Sequence, residues 1–264
     1  MPVFTDQLNR TIEIPETPRR IISLVPSQTE LLYDLGLDEE VIGITKFCLH
    51  PERWFRTKER IGGTKNLNRE KICALQPDLI IANKEENSRE QVDELAKRFP
   101  VWVSDVQNLD DALQMTRSIG HLTGTAQKAG ELAARIETEF EELDVPEARL
   151  RTAYLIWKDP YMTVGDDTFI HHLLEKAGFQ NLFAGRQRYP ETSIAALKEL
   201  NCEVLLLSSE PYPFGQKHLN ELQALLPHTK VVLADGEFFS WYGSRLLLAP
   251  AYFRQLHRQI GTLQ

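Results

Sequence analysis

The sequence predicts an α/β protein in which two lobes with mainly parallel sheets are joined by one long rigid helix. Three observations predict this: short apolar runs that alternate with amphipathic stretches, a repeat of one such unit, and one long amphipathic segment between the copies. Short continuous apolar runs are typical of parallel strands buried on both faces. The predicted strands are residues 21–25, 41–44, 79–82, 101–103, 153–157, 204–207 and 231–234.

The first helix has start and stop signals. Ser27 followed by Glu30 is a capping-box pattern, which predicts that the helix begins at Ser27. Gly36 stands where a helix commonly ends. A strand, a loop, a capped helix and a glycine therefore form the basic unit of the chain.

This unit recurs in the second half of the chain. Residues 68–82 and residues 193–207 each contain a polar helix cap, a short amphipathic helix, an acidic turn and an apolar strand, at an offset of 125 residues from Asn68 to Ser193. Between the copies, residues 125–143 lack proline and have apolar residues at three- and four-residue intervals. We therefore predict two Rossmann-like lobes, at residues 1–122 and 146–264, and a connecting helix at residues 123–145.

Charge and length exclude several classes of protein. The chain has 264 residues, and its formal net charge of −8 argues against a duplex nucleic-acid binder, which needs clustered Lys and Arg. Its apolar runs are far shorter than the roughly 20 residues that span a bilayer. The printed amino terminus lacks a secretory signal pattern, so we expect a cytoplasmic protein. A periplasmic location is expected only if a leader precedes this sequence.

Loops that follow the predicted strands carry many aromatic and polar residues. In open parallel sheets, ligands bind in loops beyond the carboxyl ends of the strands. Aromatic side chains from two such lobes would form a flat, largely apolar slot with a few polar anchors. We therefore expect a ligand in a cleft between the lobes.

Five segments, taken in order, resemble a known family. They are RIISLVPSQTEL from Arg20, IGI from Ile42, ALQPDLIIA from Ala74, the long helix, and TVG from Thr163. Together they resemble the helical-backbone (class III) substrate-binding proteins of ABC importers, and most closely the cobalamin-binding branch. The resemblance covers nearly the whole chain from Arg20. It implies two α/β lobes that hold cobalamin, haem or a ferric siderophore.

The resemblance also implies candidate ligand contacts. Phe47 falls where the cobalamin-binding branch has a cleft tyrosine, and Tyr189 falls on a tryptophan. Thr64 and Asn83 stand where that branch has tryptophans, so two flat walls are absent. With further loop residues, the predicted ligand-binding set is Phe47, His50, Thr64, Lys65, Asn83, Met162, Tyr189, Tyr212, Phe238, Trp241 and Arg245.

The family's transporter contacts match only in part. Members that serve a permease present one glutamate on each lobe. Glu70 matches the first position, but Ala195 stands at the second. This departure from the family, taken with the absent signal pattern, favours a cytosolic binding or sensing relative, and an ABC permease is the alternative partner.

Two readings of the loop residues Cys48 and His50 stay open. Thiolate and imidazole are both good ligands for zinc or iron, but no further ligand is spaced for a complete site.

The main hypothesis is a non-catalytic protein that binds a corrinoid, haem or ferric chelate as its ligand, with no intrinsic cofactor and no catalytic residue. The alternative is an enzyme or metallochaperone that handles a metal or tetrapyrrole in the same cleft, using Cys48, His50 and Glu210.

Overall fold

The computed structural model describes residues 2–14 and 17–262, and the predicted lobe ends at residues 1 and 264 lie outside them. The chain divides into two compact units. Unit 1 comprises Met1–Val106, Asp110–Glu137 and Tyr242–Arg245, and unit 2 comprises Gln107–Leu109, Thr138–Trp241 and Leu246–Gln264. The chain thus returns to unit 1 at residues 242–245, which the sequence predicts in the carboxyl-terminal lobe.

Unit 1 is built on a parallel sheet. Its elements are β1 (Val3–Thr5), β2 (Thr11–Glu13), β3 (Ile21–Ser23), α1 (Pro26–Asp34), β4 (Val41–Ile44), α2 (Glu52–Thr57), β5 (Glu59–Arg60), β6 (Gly62–Gly63), β7 (Asn66–Leu67), α3 (Arg69–Leu75), β8 (Leu79–Asn83), α4 (Arg89–Ala96), β9 (Val101–Ser104) and α5 (Leu109–Thr123). Five parallel strands lie in the order β5-β4-β3-β8-β9. The pairs β1–β2 and β6–β7 are antiparallel.

Unit 2 is built on a second parallel sheet. Helix α6 (Ala126–Glu141) begins in unit 1 and ends in unit 2. The next elements are β10 (Leu150–Leu155), β11 (Tyr161–Met162), α7 (Phe169–Lys176), β12 (Phe179–Asn181), β13 (Glu191–Thr192), α8 (Ile194–Glu199), β14 (Val204–Ser208), α9 (Gln216–Leu225), β15 (Lys230–Ala234), α10 (Glu237–Ser240), a 3-10 turn (Ser244–Leu247) and α11 (Ala249–Ile260). Four parallel strands lie in the order β12-β10-β14-β15, beside the antiparallel pair β11–β13.

The predicted fold class is confirmed. Each of the seven predicted strands is present, and the central strands β3, β8 and β14 are buried along their whole length. Apolar residues on both faces of a strand are required when helices cover both sides of a parallel sheet. This is why continuous apolar runs, rather than alternating ones, identified the strands.

The predicted repeat has a detailed structural counterpart. The Asn68 side chain accepts a hydrogen bond from the Lys71 backbone N–H (3.0 Å), and Ser193 accepts one from Ala196 (3.2 Å). Each thereby caps a short helix, α3 or α8. The turns that follow the two helices also match, because Gln76 and Asn201, at the same repeat offset, both take the left-handed conformation, with φ of 43° and 48°.

An arginine joins each of these helices to its sheet. The Arg20 backbone N–H donates to Asp78 Oδ1 (2.9 Å), while its guanidinium donates to the Leu75 carbonyl at the end of α3. In unit 2 the Arg151 backbone N–H donates to Glu203 Oε2 (2.8 Å) and its guanidinium to the Leu200 carbonyl (2.6 Å). These arginines satisfy carbonyls that a helix end leaves without intrahelical partners.

Two local predictions are wrong. Helix α1 begins at Pro26 with Val25 as its N-cap, so Ser27 lies in the first turn and makes no capping bond. Proline is favoured at this position because its fixed φ suits a first turn that needs no N–H. The predicted connecting helix at 123–145 is shorter, because Thr123 belongs to α5 and Gly124 takes a φ of +72°, which separates α5 from α6.

We predict that Asn68→Ala and Ser193→Ala each destabilise the protein by about 1 kcal/mol, because each removes a helix cap. The shift in the midpoint of urea unfolding measures this effect. Glu199→Gln, an exposed change in α8, is the matched control and should leave the midpoint unchanged. Equal midpoints for Ser193→Ala and the control would contradict the capping role.

His257 makes stability depend on pH. It is buried, stacks on Phe179 at 4.6 Å between ring centroids, and donates from Nε2 to the Ala177 carbonyl (2.6 Å). Burial lowers its pKa, and the bond to Ala177 only partly opposes this. Because the folded state binds the proton less tightly than the unfolded chain, this contribution is present above the unfolded pKa of about 6.5 and is lost as the pH falls below it.

We therefore expect the urea midpoint of the wild-type protein to fall between about pH 7 and pH 5. His257→Gln removes the titrating group, so it should lower the midpoint at neutral pH but flatten the dependence over this range. A variant whose midpoint falls as steeply as that of the wild type would assign the pH dependence to other groups.

Candidate functional site

In unit 1 the loop that follows β4 presents apolar side chains to solvent. Phe47 is 51% exposed and Leu49 is 53% exposed, whereas Cys48 between them is fully buried. The Cys48 sulfur lies 3.1 Å from the hydroxyls of both Thr29 and Thr45. This buried anchor holds the loop, so its two apolar neighbours are displayed at the carboxyl end of a parallel strand, where open α/β sheets bind ligands.

The environment of Cys48 does not suit a metal ligand. Burial raises the pKa of its thiol to about 11, although hydrogen bonds from Thr29 and Thr45 oppose this, and only a thiolate binds metal strongly. His50 is half-buried, and its charge acts on Glu30. Within residues 2–14 and 17–262, no group of three or more His, Cys, Asp or Glu side chains is arranged to hold a metal ion.

The β6–β7 hairpin packs against Phe47. A Cβ atom at Gly63 would come within 3.1 Å of Phe47 Cε2, so any larger residue there would push the ring away by a few tenths of an ångström. Thr64 follows and is half-buried. The ammonium of Lys65 donates to the backbone carbonyl of Glu85 (2.6 Å). Phe47, Thr64 and Lys65 thus share one part of the carboxyl edge, and Lys65 ties two loops together.

Asn83 has a structural environment that differs from the predicted one. It is buried, and its amide nitrogen donates to Ser104 Oγ (3.0 Å). Its side-chain oxygen accepts the backbone N–H groups of Glu85 (2.8 Å) and Glu86 (3.0 Å). Because protein groups use both ends of the amide, Asn83 orders the loop after β8 and is not placed to contact a ligand.

Arg245, which the sequence predicts as a polar anchor for a ligand, is bound to a carboxylate of the protein itself. Its guanidinium makes a two-bond ion pair with Glu30 of α1, at 3.0 and 2.6 Å. Burial raises the pKa of Glu30, and the charge of Arg245 opposes that rise. The Tyr242 hydroxyl donates to Glu86 (3.3 Å). Segment 242–245 therefore binds two carboxylates of unit 1, and the charge of Arg245 is already matched.

In unit 2 the loops after β10 and β14 form an aromatic group. Trp157 is 41% exposed and packs edge-on against Tyr212, with 5.7 Å between ring centroids. The Tyr212 hydroxyl lies 3.2 Å from His218 Nε2. Met162 pairs with Trp157 through an isolated β-bridge. The structure thus brings together two predicted residues, Met162 and Tyr212, around an exposed tryptophan.

Trp241 is not available as a flat wall. It is buried, and its indole N–H donates to Glu210 Oε1 (3.0 Å), which also accepts from the Ser240 hydroxyl (2.5 Å). Burial raises the pKa of Glu210, and the two hydrogen bonds oppose that rise. Trp241 therefore serves as a hydrogen-bond donor to a buried carboxyl group.

The last two aromatic predictions lie elsewhere in unit 2. Phe238 is half-buried and stacks on Tyr252, with 4.4 Å between centroids and 14° between planes. Tyr189 is half-buried, and the guanidinium of Arg188 lies 5.4 Å from its ring centroid.

The two positions at which the resemblance implies docking glutamates are equivalent within the repeat. Glu70 is the second residue of α3, and Ala195 is the second residue of α8, at the repeat offset from Asn68 to Ser193. Both are exposed. The carboxylate of unit 1 therefore has no counterpart at the matching place in unit 2.

Three exposed residues were absent from the predicted set. Lys46 and Leu49 flank predicted residues in the loop after β4, and Trp157 follows β10. Residue Trp157 reads as the end of a buried strand in the sequence, but β10 ends at Leu155. The alternation of exposed and buried residues around Cys48 becomes apparent only from the structure.

Comparison with known proteins identifies the family. The model of the family described as periplasmic binding protein matches residues 21–227. This match covers most of the chain, which therefore belongs to the periplasmic binding protein family. It is a solute-binding protein rather than an enzyme, and the enzymatic alternative is not favoured.

Two curated relatives match most of the chain. A vitamin B12-binding protein of Pectobacterium carotovorum is 25% identical over 254 residues, which is 93% of this chain and 90% of that protein. An uncharacterized ABC transporter substrate-binding lipoprotein of Bacillus subtilis, YvrC, is 26% identical over 214 residues, which is 76% of this chain and 67% of that protein.

Solved structures share the fold. The periplasmic vitamin B12-binding protein BtuF of Vibrio cholerae has a TM-score of 0.75 and 21% identity, and covers 93% of this chain and 99% of its own. The periplasmic heme-binding protein HutB of Vibrio cholerae has a TM-score of 0.77 and 20% identity, covering 90% and 98%. An Fe3+-hydroxamate transport protein of Saccharomonospora viridis has a TM-score of 0.73 and 22% identity, covering 98% and 99%.

Helices long and apolar enough to cross a membrane are absent from the described part of the chain.

We predict that the cysteines differ in reactivity. Cys48 and Cys202 are buried, and burial raises both thiol pKa values to about 11, whereas Cys73 is half-buried. In native protein at about pH 8, iodoacetamide should therefore label Cys73 first, because the thiolate is the reactive form. Peptide mass spectrometry measures the sites, and denatured protein, in which all three react, is the control. Labelling of Cys48 as fast as Cys73 would contradict this assignment.

Proposed function

We propose that this protein binds a corrinoid, haem or ferric chelate as cargo. The observation that carries the proposal is the exposed pair Phe47 and Leu49, held beside the buried Cys48 at the carboxyl end of β4. Two large apolar side chains that are exposed to water on an anchored loop do not contribute the free energy that their burial would give. A ligand with an apolar surface would bury them and so gain this free energy. This ligand class is supported by the similarity of the chain to proteins named for vitamin B12 binding, heme binding and Fe3+-hydroxamate transport.

The exposed aromatic group of unit 2 supports the same proposal. Trp157 offers a large flat surface at the carboxyl end of β10, and Tyr212 supports it from one side. Macrocyclic rings stack on such surfaces. Trp157 also supplies a fluorescence signal, because ligands that absorb in the near ultraviolet and visible range quench an exposed indole on contact.

We further propose that the protein delivers its cargo to an ABC transporter. Support comes from the ABC transporter relative YvrC and from Glu70, an exposed carboxylate in the first turn of α3. Because Ala195 carries no charge at the equivalent place of unit 2, this contact would rely on one acidic residue rather than two. The affinity for such a transporter should therefore fall with added salt, since exposed charge pairs are screened, but less steeply than if each unit carried a carboxylate.

The proposed function predicts saturable binding to at least one of three probes: cobalamin, haem or a ferric trihydroxamate. Titration with tryptophan fluorescence as the signal measures the affinity. The double variant Phe47→Ala/Leu49→Ala should bind about tenfold more weakly, because truncation of side chains that a bound ligand would bury costs roughly 1–2 kcal/mol of binding free energy. Leu225→Ala, which truncates an exposed leucine of α9, is the matched control.

Failure of all three probes to bind the wild-type protein would overturn the proposed ligand class. Binding that is equal in the double variant and in the control would keep the ligand class but remove the loop after β4 from the binding site.

A further inference from the structure

Lys46 is an exposed cation next to the apolar pair. Its ammonium lies 5.0 Å from the centroid of the Phe47 ring. In the described ranges 2–14 and 17–262, no carboxylate lies within ion-pair distance of this ammonium and no acceptor receives a hydrogen bond from it. Its single favourable contact is therefore with the ring of a residue that is itself exposed.

Three of the six other lysines of unit 1 pair with a carboxylate, whereas Lys65 and Lys128 donate to backbone carbonyls. Lys58 lies 3.9 Å from Asp38, Lys71 pairs with Glu59, and Lys84 pairs with Asp105 at 2.5 Å. In a protein with a net charge of −8, carboxylate partners are abundant. Among the described residues Lys46 has no carboxylate partner, and it lies beside the exposed apolar side chains of Phe47 and Leu49.

The backbone and the side-chain stem of Lys46 are held in place. Its N–H donates to the Gly62 carbonyl at 2.8 Å, and a Cβ at Gly63 would come within 3.3 Å of Lys46 Cε. The stem thus packs on the β6–β7 hairpin. Lys46 also lines an open groove of about 880 Å³ that includes Glu70, but Glu70 and Lys46 do not form an ion pair.

We infer that Lys46 selects ligands that carry an anionic group. The ligand's apolar body would rest on Phe47 and Leu49, and its carboxylate or similar anion would pair with the Lys46 ammonium. This inference rests on the proposed function and narrows it to anionic tetrapyrroles and anionic ferric chelates. Pairing of a ligand anion with an ammonium that is already held costs little side-chain entropy, so the charge contributes to specificity.

The test compares haem with haem dimethyl ester, which has the same ring and iron but no carboxylates. Wild-type protein should bind haem more tightly than the ester, and Lys46→Gln should weaken haem binding about three- to tenfold, as expected for a partly exposed ion pair, while leaving the affinity for the ester unchanged. Lys97→Gln makes the same charge change at an exposed lysine of unit 1 and should leave both affinities unchanged. Added salt should weaken the binding of haem more than that of the ester.

The outcomes separate the inference from the proposed function. Equal affinity of wild-type protein for haem and its ester, or equal loss of both in Lys46→Gln, would overturn the selection by Lys46 and leave the proposed function intact. Binding of cobalamin alone, whose anionic group is a phosphodiester, with an affinity that Lys46→Gln leaves unchanged would do the same. Failure of haem, cobalamin and a ferric trihydroxamate to bind would overturn both.

Discussion

The two parallel sheets of this protein share one kind of junction, in which an arginine connects a carboxylate to the end of a short helix. Arg20 immediately precedes β3, donates to Asp78 through its backbone N–H and binds the end of α3 through its guanidinium. Arg151 does the same with Glu203 and α8. The junction fixes where the helix stops and where the next strand enters the sheet. Because strands β8 and β14 are central, their register determines which loops lie together at the carboxyl edge.

The loop after β4 shows how such an edge becomes a binding surface. The buried Cys48 thiol lies between two threonine hydroxyls, and these contacts hold Cys48 in the interior. The residues on either side of Cys48 then point away from the interior. Phe47 and Leu49 are therefore displayed by the local geometry of the chain rather than by a mobile segment. Preorganised apolar surface binds a ligand at lower entropic cost than a surface that must first become ordered.

Much of the fold could be predicted from the sequence because its signals are local. Apolar runs located the strands, and the polar caps Asn68 and Ser193 located two helices. The start of α1 was missed because proline at the first position replaced the side-chain cap that Ser27 suggested. The predicted connecting helix was too long at both ends, because Thr123 belongs to α5, Gly124 separates α5 from α6, and α6 ends at Glu141.

The candidate site was harder to predict, because exposure is a tertiary property. Asn83, Trp241 and Arg245 have residue types that suit ligand contacts, but each is satisfied by a partner distant in the sequence: Ser104, Glu210 and Glu30. Conversely, Trp157 reads as the last residue of a buried strand and is exposed. No local pattern reveals which polar groups already have protein partners.

The return of residues 242–245 to unit 1 has a consequence for how the chain can be divided. A fragment that stopped within α6 would contain the rest of unit 1 but would lack Arg245. Glu30 would then keep its position on α1 without the guanidinium that balances it, and Glu86 would lose the Tyr242 hydroxyl. Unit 1 is therefore not one continuous stretch of sequence, and the residues that complete it are translated after residues 138–241 of unit 2.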